Sequence, residues 1–300
     1  MPSLCDSFKQ EFCAKGKSRP SYTIQSSVKR EGQGLFTGAS ASLTLLPACR
    51  GSGIVFQRMD LPGQPSFRAD LSLVQGTPRC TIIGKEGVSV QTVEHLMAAL
   101  HAYEMDHLLI QLSGPEVPIF DGSSLAFIEM IEQAGIAEQE EERVIYSLQN
   151  PICWSEGDIH LVACPSEELR VSYTLHYPRC SRIGTQFCSI ALNKNSFKEK
   201  IAPCRTFSVY EEIAPLIERG VLQGGSLDNA VVIKENKVLN PEGLRFEDEM
   251  VRHKILDLLG DLYLMGVSFR AHILAVRSGH SSNIAFAREL LTHITREGGV

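Results

Sequence analysis

The chain has no cysteines spaced C-x-x-C, only one tryptophan, and no apolar run approaching the roughly 18 residues expected of a membrane helix. Its nine cysteines (Cys5, Cys13, Cys49, Cys80, Cys153, Cys164, Cys180, Cys188 and Cys204) are scattered and odd in number. That distribution argues against a disulfide framework or a zinc finger and suits a reducing, cytoplasmic setting. A compact apolar segment after the first basic residues is also missing, so no secretory signal is expected. Positive charge is not in excess: 29 Lys and Arg against 35 Asp and Glu leave a net charge of -6. Nucleic acid is therefore not the expected partner, although a local basic pocket for an anionic small molecule is compatible with this balance. Any lipidic substrate would have to be met from the membrane surface or extracted, which limits membrane contact to the peripheral kind at most. Oligomeric state is not legible.

With 43% hydrophobic and 21% charged residues, the chain belongs among globular rather than disordered or fibrous proteins. Its 300 residues exceed one ordinary core, so two domains are expected. Residues 1–20, polar and carrying Lys15, Lys17 and Arg19, read as a loose extension. Thr23-Ile24-Gln25, a Gly-rich turn over 32–38 and Ser42-Leu43-Thr44-Leu45 predict a hairpin. Strands follow at 53–57 and 80–83, a helix over 92–102, a buried strand over 107–112 and a helix over 124–132. The run Glu138-Gln139-Glu140-Glu141-Glu142 is the sharpest break in composition and is placed as a linker. It separates an N-terminal domain, 21–139, from a C-terminal domain, 140–300. The second half repeats the theme: strands to about Tyr177, a helix over 207–219, a strand over 230–233, a long helix over 247–265 and a strand over 273–276. The expected fold class is α+β, built from two similar modules.

Three segments could carry chemistry. In the long helix, His253, Asp257 and Asp261 follow at four-residue steps and so share one face. Such a stripe on an apolar helix faces either solvent or a cavity. A His and an Asp one turn apart can hold one metal ion, but two ligands do not make a site. Val93-Glu94-His95 opens another helix. With His95 as a third ligand, one coordination position stays open, as in catalytic zinc sites. Glu94 would then reach the activated water as general base, although a glutamate at a helix start also has a plain dipole explanation. Ser278-Gly279-His280 follows a strand as a glycine-containing turn. Paired with Asp261, His280 could act as general acid and stabilise an oxyanion; a loop histidine is also an ordinary surface residue.

Taken together, T-V-E-H-L at Thr92–Leu96, I-F-D-G-S-S at Ile119–Ser124, A-P-C-R-T-F at Ala202–Phe207 and G-G-S-L-D-N-A at Gly224–Ala230 form an ordered series. L-R-F-E-D-E-M-V-R-H-K-I-L-D-L-L-G-D-L at Leu244–Leu262 and S-G-H-S-S-N at Ser278–Asn283 complete it. From about Tyr22 onward the chain resembles the bacterial UDP-3-O-acyl-N-acetylglucosamine deacetylases of lipid A biosynthesis. The resemblance implies a two-domain sandwich with helices between two outer sheets, and a Zn2+ ion on His95, His253 and Asp257. It implies Glu94 as base and His280 as acid, with Asp261 holding His280. Thr206 would bond the carbonyl or tetrahedral intermediate, Lys254 would meet the substrate diphosphate, and Phe207 would lie on the sugar side. Gly225, Ser226 and the stretch from Leu227 to Val232 would wall an acyl-chain tunnel. The partner so implied is a small acylated UDP-amino sugar.

The chain departs from the family pattern at Phe36, where a histidine is usual, and at Gln91, where a small residue is commoner. No nucleotide-side basic residue is matched over 153–160. His/Asp sites also accept iron(II) or cobalt(II). Two rival readings are a zinc peptidase, which lacks its H-E-x-x-H signature here, and a non-catalytic module binding a nucleotide sugar or acyl chain.

Overall fold

The structure, a computed structural model, describes residues 13–298, with side chains over 17–294. In chain order the first half holds β1 (Cys13–Ile24), β2 (Val28–Gln33), β3 (Ser40–Pro47), β4 (Ile54–Arg58), β5 (Ser66–Arg68), β6 (Val74–Gly76), β7 (Ile82–Lys85) and β8 (Val88–Gln91). These lead into α1 (Glu94–Ala102), β9 (Leu108–Leu112) and α2 (Leu125–Ala134). After β10 (Ile136–Leu148) come β11 (Ile152–Glu156), β12 (Ile159–Cys164), β13 (Arg170–Tyr177), β14 (Gly184–Ala191), α3 (Lys194–Lys200), β15 (Phe207–Val209) and α4 (Tyr210–Glu218). The chain continues through β16 (Val231–Lys234), β17 (Lys237–Val238), α5 (Glu249–Tyr263), β18 (Ser268–Arg270), β19 (His272–Val276) and α6 (His280–Gly298).

Two five-stranded sheets have the orders β2-β3-β9-β4-β5 and β11-β12-β19-β13-β14. Both run antiparallel, antiparallel, parallel, antiparallel from one edge to the other. The two halves therefore share one topology, and the fold is the expected α+β sandwich of two similar modules. Alternation makes each sheet one-sided: Ala41, Leu43 and Leu45 of β3 are buried while their neighbours are not. Between the sheets, α5 packs on α1, α6, β13 and β14, and α2 packs on α1 and β2. One contiguous core runs from Leu43 and Phe56 through Leu96, Met97, Ile255 and Leu258 to Tyr173 and Ile273. No helix among the described residues is long and apolar enough to cross a membrane.

Several local expectations are corrected. The hairpin joins β2 to β3, with Gln33 opposite Ser40, whereas Thr23 and Ile24 belong to β1. The acidic run is not a loop: Glu138, Glu140 and Glu142 point outward from β10, which lies between β1 and β18. Strand pairing on both sides overrides the weak strand propensity of glutamate. Of the extension expected over 1–20, residues 13–20 form part of β1, with Arg19 bidentate to Asp106 at 2.6 and 3.0 Å. Residues 1–12 lie outside the described residues. His280 opens α6 rather than sitting in a turn. The Ser282 hydroxyl accepts from the Gly279 N–H at 2.9 Å and starts the helix there.

Candidate active site

The site forms where α1 crosses α5, and a glycine permits the crossing. A Cβ on Gly260 would fall 2.0 Å from the Glu94 carbonyl oxygen, so any side chain there would hold the helices apart. Glycine inside a helix costs about 1 kcal/mol relative to alanine; here that cost allows the close approach. The entry to α1 is strained as well. Thr92 has φ 59, a left-handed conformation unusual for a β-branched residue, and such strain costs about 1–3 kcal/mol. Buried Glu116 holds it, accepting from the Thr92 hydroxyl at 3.0 Å and from the backbone N–H groups of Phe36 and Thr37 at 2.9 and 2.8 Å. Consequently α1 begins at Glu94, later than its sequence pattern suggests, and turns Glu94 and His95 toward α5.

His95, His253 and Asp257 are buried and converge, each offering one ligand atom within 4.8 Å of the others. Asp257 Oδ1 lies 3.3 Å from His253 Nε2 and 3.6 Å from His95 Nε2. It is buried without a hydrogen-bond partner among the described residues. A buried carboxylate oxygen lacking a donor is costly unless a cation satisfies it. His253 Nδ1 pairs with the Cys204 carbonyl at 3.0 Å, which leaves Nε2 as the free lone pair. Burial lowers the pKa of His95, favouring the neutral, ligating form. Burial alone would raise the Asp257 carboxyl, but Lys254, His253 and His280 outweigh it and hold it well below the usual range. These residues fit a metal ion.

On the open side stand an acid and a base. Burial raises the Glu94 carboxyl to about 7, against the pull of His280. Burial would lower His280, yet Asp261, Asp257 and Glu94 raise it to about 9. Its Nδ1 lies 2.9 Å from Asp261 Oδ2, and its Nε2 faces Glu94 Oε1 and Asp257 Oδ2, each at 3.9 Å. At neutral pH the pair is therefore a titrating carboxyl opposite an imidazolium. Lys254 donates from Nζ to Asp257 Oδ2 at 2.7 Å.

A cavity of about 340 Å³ opens over these groups, and Thr206, Phe207 and Lys254 line it with them. Gly225 and Ser226 are exposed and do not line this cavity, although a Cβ on Gly225 would touch Leu35, which does. Leu227 is exposed, while Ala230, Val231 and Val232 enter the core. Sequence reasoning missed several residues here. Arg205, one of the largest fully buried side chains, pairs through Nε with Glu249 at 2.9 Å and also binds Glu242. This anchors the segment that offers Cys204 to His253 and Thr206 to the cavity. Its place in A-P-C-R-T-F was the available signal. Arg79 and Arg277 also line the cavity, with φ 70 and 57, and no spacing rule points to them.

Two ligand-type imidazoles and a carboxylate lie beside a facing glutamate–histidine pair, an arrangement compatible with hydrolysis at a metal ion. Known relatives point to amide hydrolysis. The sequence pattern of the UDP-3-O-acyl N-acetylglycosamine deacetylase family matches residues 21–292. A UDP-3-O-acyl-N-acetylglucosamine deacetylase of Chlamydia pneumoniae is 50% identical over 274 residues, covering 91% of this chain and 97% of the relative. Proteins of the same name from Chlamydia caviae and Chlamydia muridarum are each 47% identical, covering 91% and 93% of this chain and 97% of each relative. The chain belongs to the UDP-3-O-acyl N-acetylglycosamine deacetylase family.

Proposed function

We propose that this chain is a zinc-dependent amide hydrolase that removes the N-acetyl group of UDP-3-O-acyl-N-acetylglucosamine in lipid A biosynthesis, working in the cytoplasm. The observation that carries this reading is the convergence of His95, His253 and Asp257, with Asp257 Oδ1 buried and lacking a donor, beneath the facing pair Glu94 and His280. Family membership supplies the substrate class. When bound, the ion would polarise the acetamide carbonyl and acidify water.

The protein groups do the remaining work. Glu94 takes a proton from the attacking water, a task suited to a carboxyl raised to about 7. His280, protonated through its acidic neighbours, offsets the charge on the carbonyl oxygen and then protonates the departing 2-amino nitrogen. Asp261 keeps the ring aimed by accepting from Nδ1. Thr206 and Phe207 line the cavity; Thr206 would bond the same oxygen and Phe207 would lie on the sugar side. Lys254, with Arg79 and Arg277 on the same cavity, supplies positive charge for a diphosphate. Gly225 and Ser226 would wall the acyl chain from outside this cavity, at the edge where a Cβ on Gly225 would meet Leu35. The C–N bond breaks, acetate takes the hydroxyl, and the amine leaves with the acid's proton.

Metal analysis joined to an acetate-release assay on the UDP-sugar tests the reading. The expected result is a single bound zinc per chain, replaceable by iron(II) or cobalt(II), and acetate released in step with free amine. Tight binding of the UDP-sugar without acetate would instead make the chain a binding module.

A further inference from the structure

Thr81 lies in the short link before β7, fully buried, and touches both halves of the acid–base pair. Its backbone N–H donates to Glu94 Oε2 at 3.0 Å, and its hydroxyl donates to Asp261 Oδ1 at 2.6 Å. Each bond settles which oxygen of its carboxylate faces the centre. With Oε2 held, Oε1 is the Glu94 oxygen that looks toward His280 Nε2. With Oδ1 held, Oδ2 is the Asp261 oxygen that meets His280 Nδ1, and Asn283 Nδ2 donates to that same Oδ2 at 2.9 Å. Asp261 is fully buried, so its two oxygens depend on these three donors for satisfaction.

We infer that Thr81 is a positioning residue for the reaction proposed above: it sets Glu94 and the Asp261–His280 pair in one mutual geometry across the seam between the modules. The inference rests on that functional reading. Thr81 touches neither the cavity nor the three candidate metal ligands in any hydrogen bond, so its effect passes through Glu94 and Asp261. A link residue in the first module thereby fixes an aspartate on the long helix of the second. Losing the hydroxyl leaves Asp261 Oδ1 buried without a donor, and the carboxylate is then free to rotate away from the ring it aims. The bond to Glu94 comes from the backbone N–H, which valine and serine both keep, so these substitutions isolate the Asp261 arm.

The test compares Thr81→Val, which keeps shape and removes the hydroxyl, with Thr81→Ser, which keeps the hydroxyl. Steady-state acetate release, metal content, thermal denaturation and a crystal structure of the valine variant are measured. Thr81→Val is expected to lower kcat by about 10- to 100-fold with KM and bound metal held, and Thr81→Ser to recover most of the rate. In the valine variant the Asp261 carboxylate or the His280 ring should have turned, with Glu94 still held by the backbone. Wild-type kcat in Thr81→Val, equal losses in both variants, or unmoved Asp261 and His280 would overturn the inference. If wild-type protein released no acetate, the functional reading would fall, and the side-chain positions would decide the role of Thr81 alone.

Discussion

The two modules share strand order and direction but equip the site by different means. In the first, α1 is a nine-residue helix whose useful groups, Glu94 and His95, sit in its opening turn. Their aim comes from the strained entry at Thr92 and the Glu116 hub beneath it. In the second, α5 has 15 residues and delivers His253, Asp257 and Asp261 from one face, so helical period alone aligns them. The helices that follow also diverge. α6 starts with His280 itself, whereas the residue before α2, Ser124, only donates its hydroxyl to the His95 carbonyl at 2.8 Å. A duplicated framework fixes where helices cross, while local turns and helix length decide which side chains reach the crossing.

The largest effects should come from the groups that split the chemistry between the modules. Glu94→Gln in the first and His280→Ala in the second should each lower kcat by about 10²–10⁴-fold while keeping fold and metal. A variant near wild-type rate would move the base or acid elsewhere. On the proposed mechanism, activity needs Glu94 deprotonated and His280 protonated. The kcat/KM profile should therefore rise through the Glu94 transition, about 7, and fall through that of His280, about 9, with a bound cation drawing both downward.

Next in size is the brace peculiar to the second module. Glu249 accepts from the Arg205 guanidinium and from the backbone N–H groups of Arg205 and Arg245 at 3.0 and 2.7 Å. Glu249→Ala strands a buried guanidinium and should cost about 3–5 kcal/mol in denaturant unfolding. A cost below about 1 kcal/mol would mean that exposed Glu242 already satisfies Arg205. Gly260→Ala probes the contact between the modules. Overpacking against Glu94 should destabilise by about 1–3 kcal/mol and weaken metal affinity in a titration, despite better helix propensity. An alanine variant that is more stable and binds metal normally would show that the helices have room to spare. Smallest of all, Glu140→Ala on the outer face of β10 should change unfolding stability by less than about 0.5 kcal/mol.

Legibility followed sequence distance. His253, Asp257 and Asp261 were readable because one helix spaces them, and Glu94 with His95 because they are adjacent. Thr81 escaped because its hydroxyl bond spans 180 residues and no local pattern marks it. Arg205 and Asn283 lay inside recognisable motifs, yet an interior role for an arginine shows only once Glu249 closes on it. The repeated topology was anticipated from the order of strands and helices, since modules of this kind leave a shared pattern without shared residues. The strand over 143–148 is readable as the end of β10, but its acidic first part looks like a solvated connector until its neighbours on both sides are known. The start of α6 is hidden because Ser278-Gly279-His280-Ser281-Ser282 imitates a loop, while the Ser282 hydroxyl in the first turn reaches back to the Gly279 N–H.

The sheet formed by β1, β10 and β18 bears on how the protein is made. β1 pairs with β10, translated more than a hundred residues later, and the third member, β18, emerges only after α5. Such non-local pairing is slow, and β1 presents an unpaired edge until β10 has been made. A nascent chain thus carries Glu94 and His95 long before His253, Asp257 and His280 exist to join them, so no partial translation product holds a complete hydrolytic set.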